Sequence, residues 1–181
     1  MASNPAAQDL LAEVWGGRQG LQRCGRELPV PPVGQYEGMG EDRVLAGLAA
    51  VADGCSVVVV DCGTATTITA WCITPEGPRT NGGLILPGAE ACAAGLHQRV
   101  PSLPLVAPAR ADAIAIQRTT PDAIAAGLGI GYPAMVERCL ERVQAASGIS
   151  RVVATGGAAE MVAPGVPYEP DLVLRGLAIL E

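Results

Sequence analysis

Four consecutive valines, Val57-Val58-Val59-Val60, lead directly into Asp61-Cys62-Gly63-Thr64-Ala65. No other feature constrains the fold of this chain as strongly. β-branched residues suit extended backbone, and a continuous run of them places apolar surface on both sides of a strand. The run therefore predicts a strand buried on both faces, in a sheet with other elements packed above and below it. A carboxylate placed just after such a strand is carried to its carboxyl end, where it faces a crevice. Gly63 lets backbone N–H groups approach a ligand, and the threonines that follow add hydroxyls, a combination suited to phosphate oxygens and a cation. Taken alone, Asp-Cys-Gly-Thr fits a plain strand-end turn equally well.

The flanking sequence supports an α/β arrangement. Residues 66–73 read as a returning strand, and Pro75-Glu76-Gly77 as a hairpin turn. Gly82-Gly83 precedes a short apolar run, Leu84-Ile85-Leu86, and Pro87-Gly88 opens a helix to about residue 98. A long helix is predicted over 120–146, where Val136, Cys139, Leu140 and Val143 fall at helical spacing. Gly127, Gly129 and Gly131 in its first half permit close helix approach. Residues 151–154 form a second short strand feeding Thr155-Gly156-Gly157 and a short helix, and Pro170-Asp171 begins a last helix. Upstream, Gly40-Glu41-Asp42-Arg43 heads a helix of about three turns built on Val44, Leu45, Leu48 and Val51, closed by Gly54. Asn4 and Pro5 fit the start of a helix over 5–15, and 16–40 reads as loop with one or two short strands. Strands that feed glycine turns, interleaved with helices, define an α/β fold in which 57–60 and 151–154 are core strands of a mixed sheet.

Composition narrows the function classes. The 181 residues are 49% hydrophobic but only 3% aromatic, with no Phe, so the core is built from Ala, Val, Leu and Ile. The net charge of -6 and the lack of any Lys/Arg run argue against a nucleic-acid partner, which needs a basic stripe to neutralise phosphates. No apolar run approaches membrane-spanning length, and the N-terminus has neither a basic nor an apolar signal region, so a cytoplasmic location is expected. The six cysteines, Cys24, Cys55, Cys62, Cys72, Cys92 and Cys139, form no CxxC pair and read as small apolar fillers. His97, the single histidine, reads as a surface helix residue.

Two further segments carry candidate chemistry. In Gly40-Glu41-Asp42-Arg43, Asp42 can accept a proton from a substrate hydroxyl and Arg43 can pair with a substrate anion. The same acidic residues also suit a helix N-terminus by its dipole alone. Thr155-Gly156-Gly157 can admit a flat base or ribose, although a strand-to-helix turn also wants glycine.

The order of the motifs says more than any one of them. Gly40-Glu41-Asp42-Arg43, Asp61-Cys62-Gly63-Thr64-Ala65, Gly82-Gly83-Leu84-Ile85-Leu86-Pro87-Gly88, Leu103-Pro104, Thr120, Thr155-Gly156-Gly157 and 171–177 resemble the type III pantothenate kinases from about residue 40 to the end. The resemblance implies a ribonuclease-H-like lobe of the actin-like, sugar-kinase-like ATPase fold: a mixed sheet with helices packed on it, the first lobe incomplete. It implies transfer of the ATP γ-phosphoryl group to pantothenate, the first step towards coenzyme A, in a dimer requiring Mg²⁺ and a monovalent cation such as K⁺ or NH₄⁺. On this basis Asp42 is similar to the family's proton acceptor, and Gly40, Glu41, Asp42 and Arg43 to its pantothenate-binding turn. Asp61 resembles the monovalent-cation ligand. Gly63 and Thr64 resemble ATP-phosphate contacts, and Thr155, Gly156 and Gly157 the nucleotide end. Thr120 resembles a residue that reaches the partner subunit's substrate.

The sequence departs from the family in three places. The family's first phosphate loop, Asp-x-Gly-Asn-Thr, has no counterpart in these residues. Where the family often carries an Asp after the second loop, Thr69-Ala70 stands here. The stretch containing Tyr36 is shorter than the family's approach to its substrate turn. The expected organisation is a remnant of the first lobe with the substrate turn over 1–53, and a second actin-like lobe over 54–181. With only one of two phosphate loops, the chain by itself is expected to grip ATP poorly and turn over little pantothenate. The alternatives are a non-catalytic binding or regulatory protein that keeps the fold, and another phosphotransferase of this fold with a different small acceptor.

Overall fold

The computed structural model describes residues 24–25, 28–109, 116–162 and 165–180, so the helix expected over 5–15 lies outside the described residues. The valine run becomes β1 (Val57–Cys62). β2 (Ala65–Thr74) returns antiparallel through the two-residue turn Gly63-Thr64, and β3 (Gly77–Pro87) returns again through Pro75-Glu76. β4 (Val152–Thr155) lies parallel to β1 on its other side, giving the order β3-β2-β1-β4. β1 is thus flanked by strands on both edges and covered on both faces, and its four valines are 0–3% exposed. Alternation sends Val57 and Val59 into one core cluster and Val58 and Val60 into the other.

One face carries α1 (Glu41–Ala50) and the C-terminal helix, whose seven residues Leu172–Ala178 close the described fold. The other face carries α2 (Ala89–Arg99), α3 (Thr120–Ser147) and the short α4 (Ala159–Val162); the C-terminal helix is α5. α2 and α3 form the crossover between β3 and β4. α3 starts where Thr119 caps the N–H of Asp122, with Pro121 in its first turn, and stops at Gly148, whose φ of +72° is open to glycine without strain. Past β4, Tyr168 makes one parallel bridge to Ala154, supported by Ala154 N–H to Pro167 O and Glu169 N–H to Ala154 O, both 2.8 Å. None of the described helices is long and apolar enough to cross a membrane.

Among the described residues the strands and helices expected from residue 40 onwards are present, with shifted ends. β3 begins at Gly77, well before the apolar run 84–86, because the two central glycines are absorbed as an irregularity in the β2–β3 register near Thr69 and Trp71. Gly82 adopts φ +81°, and Gly83 lies so close to the Ile68 carbonyl that a Cβ there would overlap it. In the described part of 16–40 the only extended pairing is the isolated Cys24–Leu28 bridge.

Scarcity of aromatics is met by one large residue in a tight seat. Trp71, fully buried on β2, packs against α1 at Gly47, where any Cβ would overlap the indole. α1 meets α5 just as closely: a Cβ on Gly176 would collide with the Leu45 backbone, which cannot move aside as a flexible side chain can. Gly176→Ala is therefore expected to lower unfolding free energy by about 1–3 kcal/mol, as overpacking of a close contact does. Gly95→Ala, in open space on α2, should be neutral or stabilising by up to about 1 kcal/mol. Urea denaturation of the two variants checks both.

Candidate functional site

The burial of β1 determines where Asp61 stands. It follows Val57 and Val59 in the strand alternation, so it faces the α1 side, with Thr67 of β2 and Thr155 of β4 as its register partners. Asp61 is half-buried, and among the described residues its side chain makes no hydrogen bond or ion pair. Burial first, and the Asp42 charge second, push its carboxyl above the usual carboxylate range. The Cys62 thiol beside it is pushed up to about 12 by burial and by Asp61, which leaves it protonated and unreactive. Gly156, at φ +87°, passes so near that a Cβ would sit 2.7 Å from Asp61 Oδ1 and from the Cys62 backbone. The glycine after β4 is thus required by a close approach to the acidic strand end. Thr155 is buried, whereas Gly157 is exposed.

Asp42 reaches the same neighbourhood from α1. Gly40 is the N-cap in extended conformation, and Asp42, in the first turn, accepts a 2.9 Å hydrogen bond from Arg43 N–H through Oδ1. Glu41 points elsewhere. It is exposed, its carboxyl lies where a Cβ on Gly25 would be, and it joins burial in raising the Cys24 thiol. Arg43 is only 6% exposed. Its Nε and Nη2 donate to Thr69 Oγ1 at 3.2 and 3.0 Å, and its Nη1 donates to Tyr36 OH at 2.6 Å. The guanidinium also lies 5.8 Å from the Tyr36 ring centre. Both partners are neutral, so the buried cation keeps its charge uncompensated by any described carboxylate within ion-pair distance.

The turn between β1 and β2 presents Gly63 and Thr64 to solvent. It is held from behind: Gly88 N–H donates to Thr64 O at 3.0 Å, Ala158 N–H to Cys62 O at 3.1 Å, and Tyr132 OH pairs with Thr66 Oγ1. Gly88 is small by necessity, since a Cβ would overlap the Gly63 carbonyl. Thr120 is exposed at the first position of α3, and among the described residues no hydrogen bond or ion pair joins it to this cluster. The structure therefore brings together Asp42, Asp61, Gly63, Thr64, Thr155 and Gly156, with Arg43 behind them, and leaves Glu41, Thr120 and Gly157 facing solvent. Sequence reasoning missed Thr69 as the partner of Arg43; its place on β2, eight residues past Asp61, puts it on the α1 face and was the available signal.

Two acidic side chains, a buried arginine and glycine turns thus gather near the carboxyl ends of the parallel strands β1 and β4. Together with the order β3-β2-β1-β4 and helices on both faces, they define an actin-like, sugar-kinase-like ATPase fold. The sequence model of the type III pantothenate kinases matches residues 6–142, and the chain belongs to that family. It is 36% identical over 148 residues to the type III pantothenate kinase of Geobacillus sp. (strain WCH70), and 38% identical over 148 residues to that of Pelobacter propionicus. Each alignment covers 78% of this chain, against 56% and 57% of those relatives. The chain thus spans little more than half the length of the curated relatives it matches. Among solved structures, a conserved protein of Campylobacter jejuni assigned to a Baf family of transcriptional activators has the same fold, with TM-score 0.54, 22% identity, and coverage of 84% of this chain and 69% of that one.

The raised Asp61 carboxyl has a measurable consequence. An unfolded aspartate titrates near 3.9, and folding moves Asp61 above that. Between the two values the native state holds more protons than the unfolded one, so stability falls as pH rises through that window, and the penalty is complete above the folded pKa. Asp61→Asn is expected to melt higher than the parent at pH 7, with the gain shrinking towards pH 3. Thermal melts across that range check it, and a gain that is constant with pH would assign the effect to something other than this carboxyl.

Proposed function

We propose that this chain carries the acceptor site and one phosphate turn of a type III pantothenate kinase, which phosphorylates pantothenate to 4'-phosphopantothenate at the expense of ATP. The observation that carries the reading is the convergence of Asp42 and Asp61 beside a buried Arg43 that has only neutral partners. In the reaction, the acceptor hydroxyl oxygen forms a bond to the γ-phosphorus, the bond from that phosphorus to the β–γ bridging oxygen breaks, and ADP leaves. Asp42 takes the hydroxyl proton on Oδ2, its Oδ1 being engaged by Arg43 N–H. Arg43 serves the pantothenate carboxylate, and Gly40 and Glu41 supply the backbone of the same pantothenate-binding turn. Gly63 and Thr64 meet the phosphates, and Thr155, Gly156 and Gly157 the nucleoside end. Asp61, a half-buried carboxylate with no described partner and a second carboxylate nearby, fits a monovalent cation, K⁺ or NH₄⁺, since an isolated buried charge is costly. That cation, with the Mg²⁺ that accompanies ATP, supplies neutralisation of phosphate charge.

A homodimer through α3 belongs to the same proposal. The helix buries Ala126, Gly129, Tyr132, Val136 and Val143 on its own sheet, while Ala123, Gly127, Ile130, Gly131 and Ala134 face outward. Nothing lies near a Cβ built on Gly127 or Gly131, so a second helix can come close and bring Thr120 towards the partner's site. Size-exclusion chromatography with light scattering should give twice the chain mass; a clean monomer at micromolar concentration counts against this part.

The activity test is a coupled assay with ATP, Mg²⁺, K⁺ and pantothenate. It is run on the 181-residue chain and on the chain joined to the front segment of the Geobacillus relative. Pantothenate-dependent ADP formation is expected from the joined protein, with Asp42→Asn lowering turnover about 10²–10⁴-fold, the usual worth of general-base catalysis. Pantothenate affinity should change far less. Failure of both proteins to form ADP, with no pantothenate binding by calorimetry, overturns the reading. Replacing K⁺ by a bulky organic cation should weaken ATP binding, and indifference to that exchange would remove Asp61 from the proposed role.

A further inference from the structure

The β1–β2 turn is fastened at three points by three different elements. The β3–α2 junction holds Thr64 O through Gly88 N–H, and the β4–α4 loop holds Cys62 O through Ala158 N–H. The third fastening is the hydrogen bond between Thr66 Oγ1 and the Tyr132 hydroxyl of α3. The first two join backbone to backbone, so any sequence that adopts this fold retains them. The third depends on two side chains. Thr66 is 0% exposed and Tyr132 3%, so water does not compete for the bond, and either hydroxyl left alone would be a buried orphan. Burial also holds the Tyr132 phenol above its ordinary range, which keeps it neutral and able to donate.

The position of this bond matters more than its strength. Thr66 pairs with Cys62 across β1 and β2, so it is the first residue beyond the turn whose inward side chain is fixed. Tyr132 lies in the middle of α3, next to Pro133, which has no N–H to offer the Gly129 carbonyl. At this turn the helix is short of one internal bond and leans on its packing against the sheet. We infer that Tyr132 is a positioning residue for ATP: through Thr66 it sets the spacing between α3 and the β1–β2 turn, and so holds Gly63 and Thr64 where the phosphates are met. Tyr132 itself touches no phosphate. The inference rests on the ATP-dependent reading above, and its test separates the two.

The variants are Tyr132→Phe and Thr66→Val, which each remove one hydroxyl at nearly constant shape, together with Thr66→Ser, which keeps the hydroxyl. Two readouts are taken: Mg²⁺–ATP affinity by calorimetry on the chain joined to the front segment of the Geobacillus relative, and hydrogen–deuterium exchange of peptides covering residues 62–66 on both proteins. Tyr132→Phe and Thr66→Val should each weaken ATP about 3- to 10-fold, the range of one net hydrogen bond. Each should speed exchange of the turn relative to the interior of β1. The double variant should be no worse than either single one, and Thr66→Ser should stay near the parent. Exchange that is unchanged at 62–66, or that rises equally throughout the chain, would make Tyr132 an ordinary core residue and overturn the inference. A joined parent that binds no ATP would instead sink the ATP reading, while the exchange measurement still decides whether Tyr132 holds the turn.

Discussion

The double burial of β1 is the constraint on which the rest of the structure depends. A strand with neighbours on both edges and helices on both faces has no freedom in register, because a slip of one residue would exchange its two apolar sets. That rigidity is what locates Asp61. The carboxylate stands near the end of this doubly covered strand, between Thr67 and Thr155, and the backbone turns away at Gly63-Thr64. Burial makes the ionised form costly there, and Asp42 adds to the cost.

Arg43 shows how the same face is held together. A guanidinium buried among Thr69, Tyr36 and apolar side chains fixes α1 to β2, and with it the direction in which Asp42 faces. Thr69, in the middle of β2, offers that guanidinium one oxygen and no charge. The arginine is thus tethered by neutral partners, with no described carboxylate at ion-pair distance. The exposed pairs Arg138–Glu141, Arg151–Asp53 and Arg175–Glu169 are of a different kind, solvated and of small energetic weight.

Much of this was legible in the sequence, and the parts that were not share a cause. The valine run and the 151–154 segment announced their strands through β-branching, and the long helix through its spacing, since each signal is local. Asp42 and Asp61 were legible as separate motifs, and only their order along the chain linked them. Tertiary pairings left no local trace: Thr69 with Arg43 spans 26 residues and Thr66 with Tyr132 spans 66. The extent of β3 was hidden because Gly82 and Gly83 read as a break, whereas a sheet can absorb them at an irregularity in register.

The glycines illustrate why motif reading alone under-determines a site. Gly63, Gly83, Gly88 and Gly156 all fall in segments that carry the family resemblance, yet their reasons differ. Gly83 and Gly88 are small because the Ile68 carbonyl and the Gly63 and Thr64 carbonyls lie where a side chain would go. They shape the support, not the ligand surface. Gly156 needs both a positive φ and clearance from Asp61, so it belongs to the wall of the crevice. Gly63 alone has neither demand: its Cβ would meet only ordinary contacts, at 3.6 and 3.9 Å, and it faces solvent. A glycine that the protein itself does not require is one that a ligand can require. By that argument the exposed Gly63-Thr64 edge, backed by Gly88 and Tyr132, is the part of the turn that leaves room for an approach from outside.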